Sequence, residues 1–180
     1  MFIYEVDDEI TIRMLNASDA EALFTITDDS RTYLRKWLPW VDNTKTSKDS
    51  LEFILHSFEL YANKHGLNAG IFFKEELVGM VSLNQFDWTN RIGYIGYWLS
   101  KNYQGKGIMT RAVRALIDQS FNDFELNKVE IRAAVHNKSS RAIPERLGFK
   151  KEGILRQVEW LYDHYVDHTV YGLLKNEWIT

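Results

Sequence analysis

Two glycines one residue apart, set where a strand-like pattern stops and a helical one starts, constrain this chain more than any other stretch of it. The segment reads "SKNYQGKGIMTRAV" (100–113), and Gly105 and Gly107 flank Lys106. Before it, "RIGYIGYWLS" is short, apolar and aromatic. After it, Ile108, Ala112, Val113, Leu116, Ile117 and Phe124 fall near helical spacing while Arg111, Arg114 and Asp118 fall elsewhere. Glycines at such a junction allow φ > 0 and let a ligand approach the main chain with no Cβ in the way. The helix behind them presents unpaired N–H groups and the positive end of its dipole, so its natural guest is an anion, phosphate first. A capped turn leading into a helix is the other reading of the same residues.

The rest of the chain frames that junction. "EITIRML" (9–15) alternates and predicts a strand. "NASDAEALFTITDD" predicts a helix with Ser18 as N-cap and Glu21 three residues on, the capping-box spacing. "SRTYLRKWLPWVD" is a short aromatic helix-like piece broken at Pro39, and Leu51, Ile54, Leu55, Phe58 and Tyr61 or Ala62 form one stripe of a further helix. After Gly66, "LNAGIFFK", "ELVGMVSLNQF" and "RIGYIGYWLS" are separated by turn signals and predict a three-strand antiparallel meander. "KVEIRAAV" is another strand, "KSSRAIPERLGF" a short helix stopped by Gly148, and 150–174 a long hairpin around "YDHY". No repeat, low-complexity tract or linker interrupts this order. It predicts an α/β (α+β) domain over residues 1–180, with a mixed sheet of about seven strands and helices on both faces.

Composition excludes several classes. At 180 residues and 45% hydrophobic content the chain suits one domain with a substantial core. A net charge of −3 with acidic and basic residues interspersed is not shaped to track a nucleic-acid backbone. The absence of cysteine excludes disulfides, thiolate metal sites and an enzyme thioester intermediate. His164 and His168 stand i, i+4 on a predicted strand, about 13 Å apart and too far for one metal, so they read as structural or surface residues and no metal is expected. "MFIYEVDDEI" lacks a basic start before a long apolar run, and no apolar window reaches membrane-spanning length. A soluble cytoplasmic protein without membrane partners is the expectation. The aromatic content of 14% and the tryptophans that read as exposed favour a homo-oligomer.

Spacing separates three kinds of glycine loop. A Walker-type loop needs four residues between its first glycine and a Gly-Lys-Ser/Thr, which this segment lacks. A dinucleotide fingerprint needs a third glycine where Thr110 stands and should follow the first strand of a βαβ unit, whereas this loop follows a meander. Gln104-x-x-Gly107-x-Met109 resembles the Gln/Arg-x-x-Gly-x-Gly/Ala pyrophosphate loop of the GNAT superfamily, the acyl-CoA-dependent N-acetyltransferases. "HNKSSRAIPERLGFKKEG", with Asn137, Ser140, Arg146, Gly148 and Phe149, resembles the segment that follows the next strand in the RimJ/RimL-type branch. "YLRKWLPWVD" and "LRQVEWLYDHYVDHTVYGLL" extend the likeness to nearly the whole chain. Two residues depart from the pattern. Met109 takes a place usually held by glycine or alanine, which requires its side chain to turn away from the pyrophosphate. Pro144 falls at about the fourth position of a helix capped by Ser140, where it deletes a hydrogen bond and should leave that helix irregular.

The resemblance implies the GNAT fold, its sheet splayed at the acetyl-CoA site, and a set of roles. Main-chain groups of Gly105, Lys106, Gly107, Ile108, Met109 and Thr110 would surround the pyrophosphate, with Gln104 and Arg146 beside them and Lys106 a mobile counter-charge. Trp98, Leu99 and Ser100 would offer main-chain groups to the pantetheine arm, an N–H near Leu99 facing the thioester oxygen. Asn137 would bind pantetheine amides or close the turn after its strand. Glu159 would be the general base and Ser140 the proton donor to the departing sulfur; an exposed strand carboxylate and a helix cap are the other readings of those two residues. Trp37 and Trp40 would form a lid over the acceptor or fill the core. The implied activity is direct acetyl transfer from acetyl-CoA to the N-terminal α-amine of a protein, a ribosomal protein first. A small-molecule amine acceptor such as a polyamine or aminoglycoside, and a non-catalytic acyl-CoA sensor, are the alternatives.

Overall fold

The computed structural model describes residues 2–179, and their architecture follows from one sheet. Among the described residues the strands are β1 (Ile3–Glu5), β2 (Ile10–Arg13), β3 (Leu67–Phe73), β4 (Glu76–Asp87), β5 (Ile92–Leu99), β6 (Lys128–Ala134), β7 (Lys150–Leu161) and β8 (His164–Leu174). The helices are α1 (Ala20–Asp29), α2 (Arg31–Leu34), α3 (Ser47–Ala62), α4 (Ile108–Asn122) and α5 (Lys138–Arg146). The strands lie in the order β1-β2-β3-β4-β5-β6-β8-β7. Every neighbouring pair is antiparallel except β5 and β6, which the α4 crossover makes parallel. The meander and the long hairpin stand where the sequence predicts them. The count is eight rather than about seven because β1, three residues long and without alternation, pairs with β2 through Ile3 opposite Arg13.

The two faces bury separate cores. On one, Ala20 and Leu23 of α1 and Ile54 of α3 pack with Leu15, Phe72, Leu77 and Met80. On the other, Ile108, Ala112, Val113, Leu116 and Ile117 of α4 pack with Ile12, Ile71, Leu83, Ile95 and Ile131. Helices on both faces are thus what the alternating apolar residues of the inner strands demand.

Local chemistry departs from expectation at three points. The side-chain cap ahead of α1 is Asn16, not Ser18, at the start of a 3-10 turn (Ala17–Asp19) that runs into the helix: Asn16 is extended, its side chain accepts from the Ser18 N–H, and Asp19 closes the capping box. Leu55 is 51% exposed, so the buried face of α3 runs instead through Ser50, Ile54 and Ser57, with Phe58 and Tyr61 against the core. The helix holding Pro144 is continuous from Lys138 to Arg146, and its cap is Asn137 rather than Ser140.

Candidate active site

The sheet opens at the site. β5 and β6 pair only from Ile92 opposite Lys128 to Ile95 opposite Ile131. Beyond that point β5 stays on β4 through Leu99 opposite Gly79, while β6 continues on β8 through Ala134 opposite His168. A wedge is left between them. The Ser100 N–H donates to the Val78 carbonyl at 2.8 Å, so by strand alternation the N–H of Leu99 faces the other way, into the wedge. The Ser100 hydroxyl is buried against that of Ser30 at 3.2 Å, so neither its N–H nor its hydroxyl is offered to a ligand.

At the wide end of the wedge, Gly105 and Gly107 have φ of +76° and +70°, a region that costs other L-residues about 1–2 kcal/mol. A Cβ at either would meet nothing within 4 Å, so the space beside both is open. Gly107 caps α4 with no side-chain partner for the first turn, leaving its N–H groups to an incoming anion. Met109 is 7% exposed and turns into the core, which is how the loop accepts it. Arg146 of α5 donates to the Thr110 hydroxyl at 2.7 Å and ties the two helices at the rim. Lys106 points elsewhere, its ammonium 5.0 Å from the Tyr103 ring centre. Arg111 reaches the rim but is held by Asp7 and Glu9 at 2.8 and 3.2 Å.

Together these elements line a cavity of about 730 Å³. Of the residues expected to hold cofactor, Trp98, Leu99, Gln104, Gly105, Gly107, Ile108, Met109, Thr110, Asn137 and Arg146 line it, and Ser100 and Lys106 do not. Open space beside two left-handed glycines, an uncapped helix start and an unpaired strand edge fit a long ligand with a diphosphate at one end and amides along its arm.

A second cavity, about 1100 Å³, adjoins the first. Trp37, Leu38, Tyr97, Trp98, Asn137 and Ser140 line both, so they form the passage between them. Glu159 and Trp40 line the second. Trp40 packs against Trp98 with ring centres 5.8 Å apart, and the hairpin turn braces this aromatic segment: the Tyr162 hydroxyl donates to the Leu38 carbonyl at 2.6 Å, and Arg35 stacks on the Tyr162 ring. The acidic residues Asp49, Glu52, Glu130 and Glu159 line the same cavity, with Glu130 paired to Arg132 at 2.7 Å and the Asp49 carboxylate accepting from the Lys45 and Thr46 N–H groups at 2.9 and 2.8 Å.

Two features of the site, the His168–Glu159 and Tyr97–Ser140 contacts, were not read from the sequence. His168 Nε2 lies 3.6 Å from a carboxylate oxygen of half-buried Glu159. Their meeting depends on a bulge in which Arg156, Gln157 and Val158 of β7 stand against the single Asp167 of β8, and no sequence spacing reveals it. Tyr97 donates to the Ser140 carbonyl at 2.8 Å, and the Ser140 hydroxyl makes a long 3.5 Å contact to the Tyr97 oxygen. Burial pushes the Tyr97 hydroxyl far above its ordinary value, against the lowering effect of its Ser140 hydrogen bond. The Asn137 side chain accepts from the Ser140 N–H at 3.2 Å, so it closes the turn while also lining the passage. Among the described residues, no group of three or more His, Cys, Asp or Glu could hold a metal, and no helix is long and apolar enough to cross a membrane.

Comparison with known proteins places this geometry. YdaF of Bacillus subtilis (strain 168), provisionally named a ribosomal N-acetyltransferase, is 41% identical over 179 residues, covering 99% of this chain and 98% of its own. The structure of RimL, a ribosomal L7/L12 alpha-N-protein acetyltransferase in complex with coenzyme A, matches with a TM-score of 0.94 at 26% identity, covering 98% of this chain and 99% of that one. The microcin C7 self immunity acetyltransferase MccE, in complex with acetyl-CoA and AMP, matches with a TM-score of 0.90 at 34% identity over 94% of each chain. The family described as the Acetyltransferase (GNAT) domain matches residues 9–150, from β2 to the start of β7 and across the whole glycine loop. The chain belongs to the GNAT acetyltransferases.

Proposed function

We propose that this enzyme takes an acetyl group from acetyl-CoA and transfers it to the N-terminal α-amine of a protein, with a ribosomal protein as the first acceptor to test. The observation that carries the reading is the joining of two cavities: the glycine-loop cleft meets a carboxylate-lined chamber at Ser140, and Glu159 stands on that chamber's wall. RimL, whose name states α-N-protein acetylation, shares the fold over nearly the whole chain.

When bound, acetyl-CoA supplies an acyl group activated as a thioester. The main-chain groups of the loop and the start of α4 would hold its phosphates, and Trp98, Leu99 and Asn137 would line the arm's path. The carboxylates of the second chamber draw in a cationic amine, and Glu159, directly or through water, accepts the proton that the amine must lose to become a nucleophile. His168 stands beside it, its Nε2 3.6 Å from a carboxylate oxygen. The Leu99 N–H faces the wedge as a donor to an acyl oxygen, a contribution of about 3 kcal/mol where such a donor acts. The Ser140 hydroxyl, on the passage, gives a proton to the departing sulfur as the C–S bond breaks and recovers one from the amine nitrogen, which loses its second proton as the amide forms.

A small-molecule amine is the second reading, favoured by the likeness to MccE, whose structure holds AMP beside acetyl-CoA. We also assign the protein to the cytoplasm, where ribosomal proteins are made, and to a homo-oligomer, because Ile154, Val158, Trp160 and Tyr165 form an exposed apolar group on β7 and β8 at the sheet edge. Light scattering during gel filtration checks the oligomer; a monomer at micromolar concentration rejects it.

Release of free thiol from acetyl-CoA with a panel of peptides, polyamines and aminoglycosides tests the activity. The Glu159→Gln variant is expected to lose about a hundredfold in kcat and the acidic limb of its pH profile, with unchanged affinity for acetyl-CoA. Absence of thiol release with every acceptor in the panel would leave only an acyl-CoA-binding sensor.

A further inference from the structure

We propose that Tyr97 is a positioning residue for Ser140, holding the first turn of α5 at the passage between the two cavities through a carbonyl that Pro144 leaves without a helical partner. The proposal rests on the reading of Ser140 as the proton donor. In an α-helix the carbonyl of residue 140 accepts from the N–H of residue 144, and proline has none. The Tyr97 hydroxyl supplies the missing donor at 2.8 Å, from a different strand. That strand is β5, one wall of the wedge, whereas α5 follows β6, the other wall. One hydrogen bond therefore spans the gap between diverging strands at the point where the sheet no longer pairs them.

The same oxygen lies 3.5 Å from the Ser140 hydroxyl, so Tyr97 contacts Ser140 at its main chain and its side chain together. Its single hydrogen is committed to the carbonyl, and its lone pairs face the serine. Because burial keeps Tyr97 protonated, it remains a donor across the working pH range. The proline that departs from the expected helix pattern thereby acquires a role: it frees a carbonyl that the facing wall of the site can grip.

The test is a pair of variant cycles. Across Tyr97→Phe, Ser140→Ala and their combination, kcat and the KM for acetyl-CoA are measured. Y97F is expected to lower kcat about tenfold, with KM changed less than twofold, and to slow the S140A enzyme no more than twofold further. Independent, multiplying losses would overturn the proposal. A full-speed S140A would instead remove the reading of Ser140 on which it rests, and the two failures are distinguishable. The second cycle reads thermal unfolding without any ligand. Y97F is expected to lower Tm, and in a Pro144→Ala background, where residue 144 again has an N–H for the Ser140 carbonyl, that fall should shrink to less than half. An undiminished fall in the P144A background would overturn the hydrogen-bond account even if the protein proved inactive.

Discussion

Gly107 combines a left-handed backbone with open space where a side chain would project, and that combination defines the loop. Replacing it with glutamate sets a carboxylate where a phosphate is to lie and adds about 1–2 kcal/mol of backbone strain. Gly107→Glu is therefore expected to weaken acetyl-CoA binding by more than a hundredfold in calorimetry while circular dichroism still reports a folded protein; unchanged affinity would take the loop out of the site. Asp19 illustrates a residue whose work is stability. Burial alone would raise its carboxyl, but the two-pronged Arg13 guanidinium and the Asn16 N–H hold it below its ordinary 3.8. A folded value below the unfolded one means that the contribution is complete above that ordinary value and is lost as pH falls through the depressed one. Asp19→Asn is expected to cost about 2 kcal/mol in urea unfolding at pH 7, with the gap from wild type closing at acid pH. Residues such as the two glycines were legible in the sequence because their requirement is local. Tyr97 was not, because its role depends on a missing N–H forty-seven positions away, at Pro144, and on a sheet that opens between them.

Among the elements, β7 shows how an irregular strand aims a functional group. Gln157 takes φ of +47° in the bulge, and its N–H donates to the Asp167 carboxylate at 2.7 Å. Beyond that distortion the register resumes with Glu159 opposite Val166. The bulge adds two residues, an even number, so Glu159 keeps its face of the sheet but stands opposite Val166 and next to His168, where unbroken pairing would set it opposite His164; the bulge thus decides which neighbours Glu159 has. Asp167→Ala is expected to lower kcat several-fold through misdirected Glu159 while leaving the affinity for acetyl-CoA unchanged, as steady-state kinetics and calorimetry can report; equal losses in both would mean a wider collapse of the hairpin. Glu159 itself could be singled out from the family likeness, but its His168 neighbour could not, because the bulge sets the register between them. By the same logic the meander and α4 were legible from periodicity, whereas β1 was too short to show any. The side-chain cap ahead of α1 lies two residues before the expected Ser18, on the 3-10 turn that leads into the helix, because Asn16 and Ser18 each satisfy the chemistry of a cap and only the extended backbone at Asn16 decides between them.

On the scale of the whole molecule, the parallel pairing of β5 and β6 stops after four residues, and the functional architecture follows from that stop. It frees a strand edge, admits the glycine loop on one side and opens a carboxylate-lined chamber on the other. On the proposed reading, the chamber would favour an acceptor that arrives protonated and can lose its proton readily. At pH 7 an α-amine of pKa about 7.8 is roughly 14% neutral and a lysine of pKa about 10.4 roughly 0.04%, a difference of about 3.5 kcal/mol in available nucleophile. A site with one carboxylate base gains most from the α-amine. The measurement that bears most directly on this is mass spectrometry of a peptide carrying both a free N-terminus, with a small polar first residue, and an internal lysine, after incubation with the enzyme and acetyl-CoA. The expected product is acetylated on the α-amine and slows strongly with E159Q. Acetyl groups chiefly on the lysine, or on a polyamine or aminoglycoside in the same mixture while the peptide stays unmodified, would contradict the account.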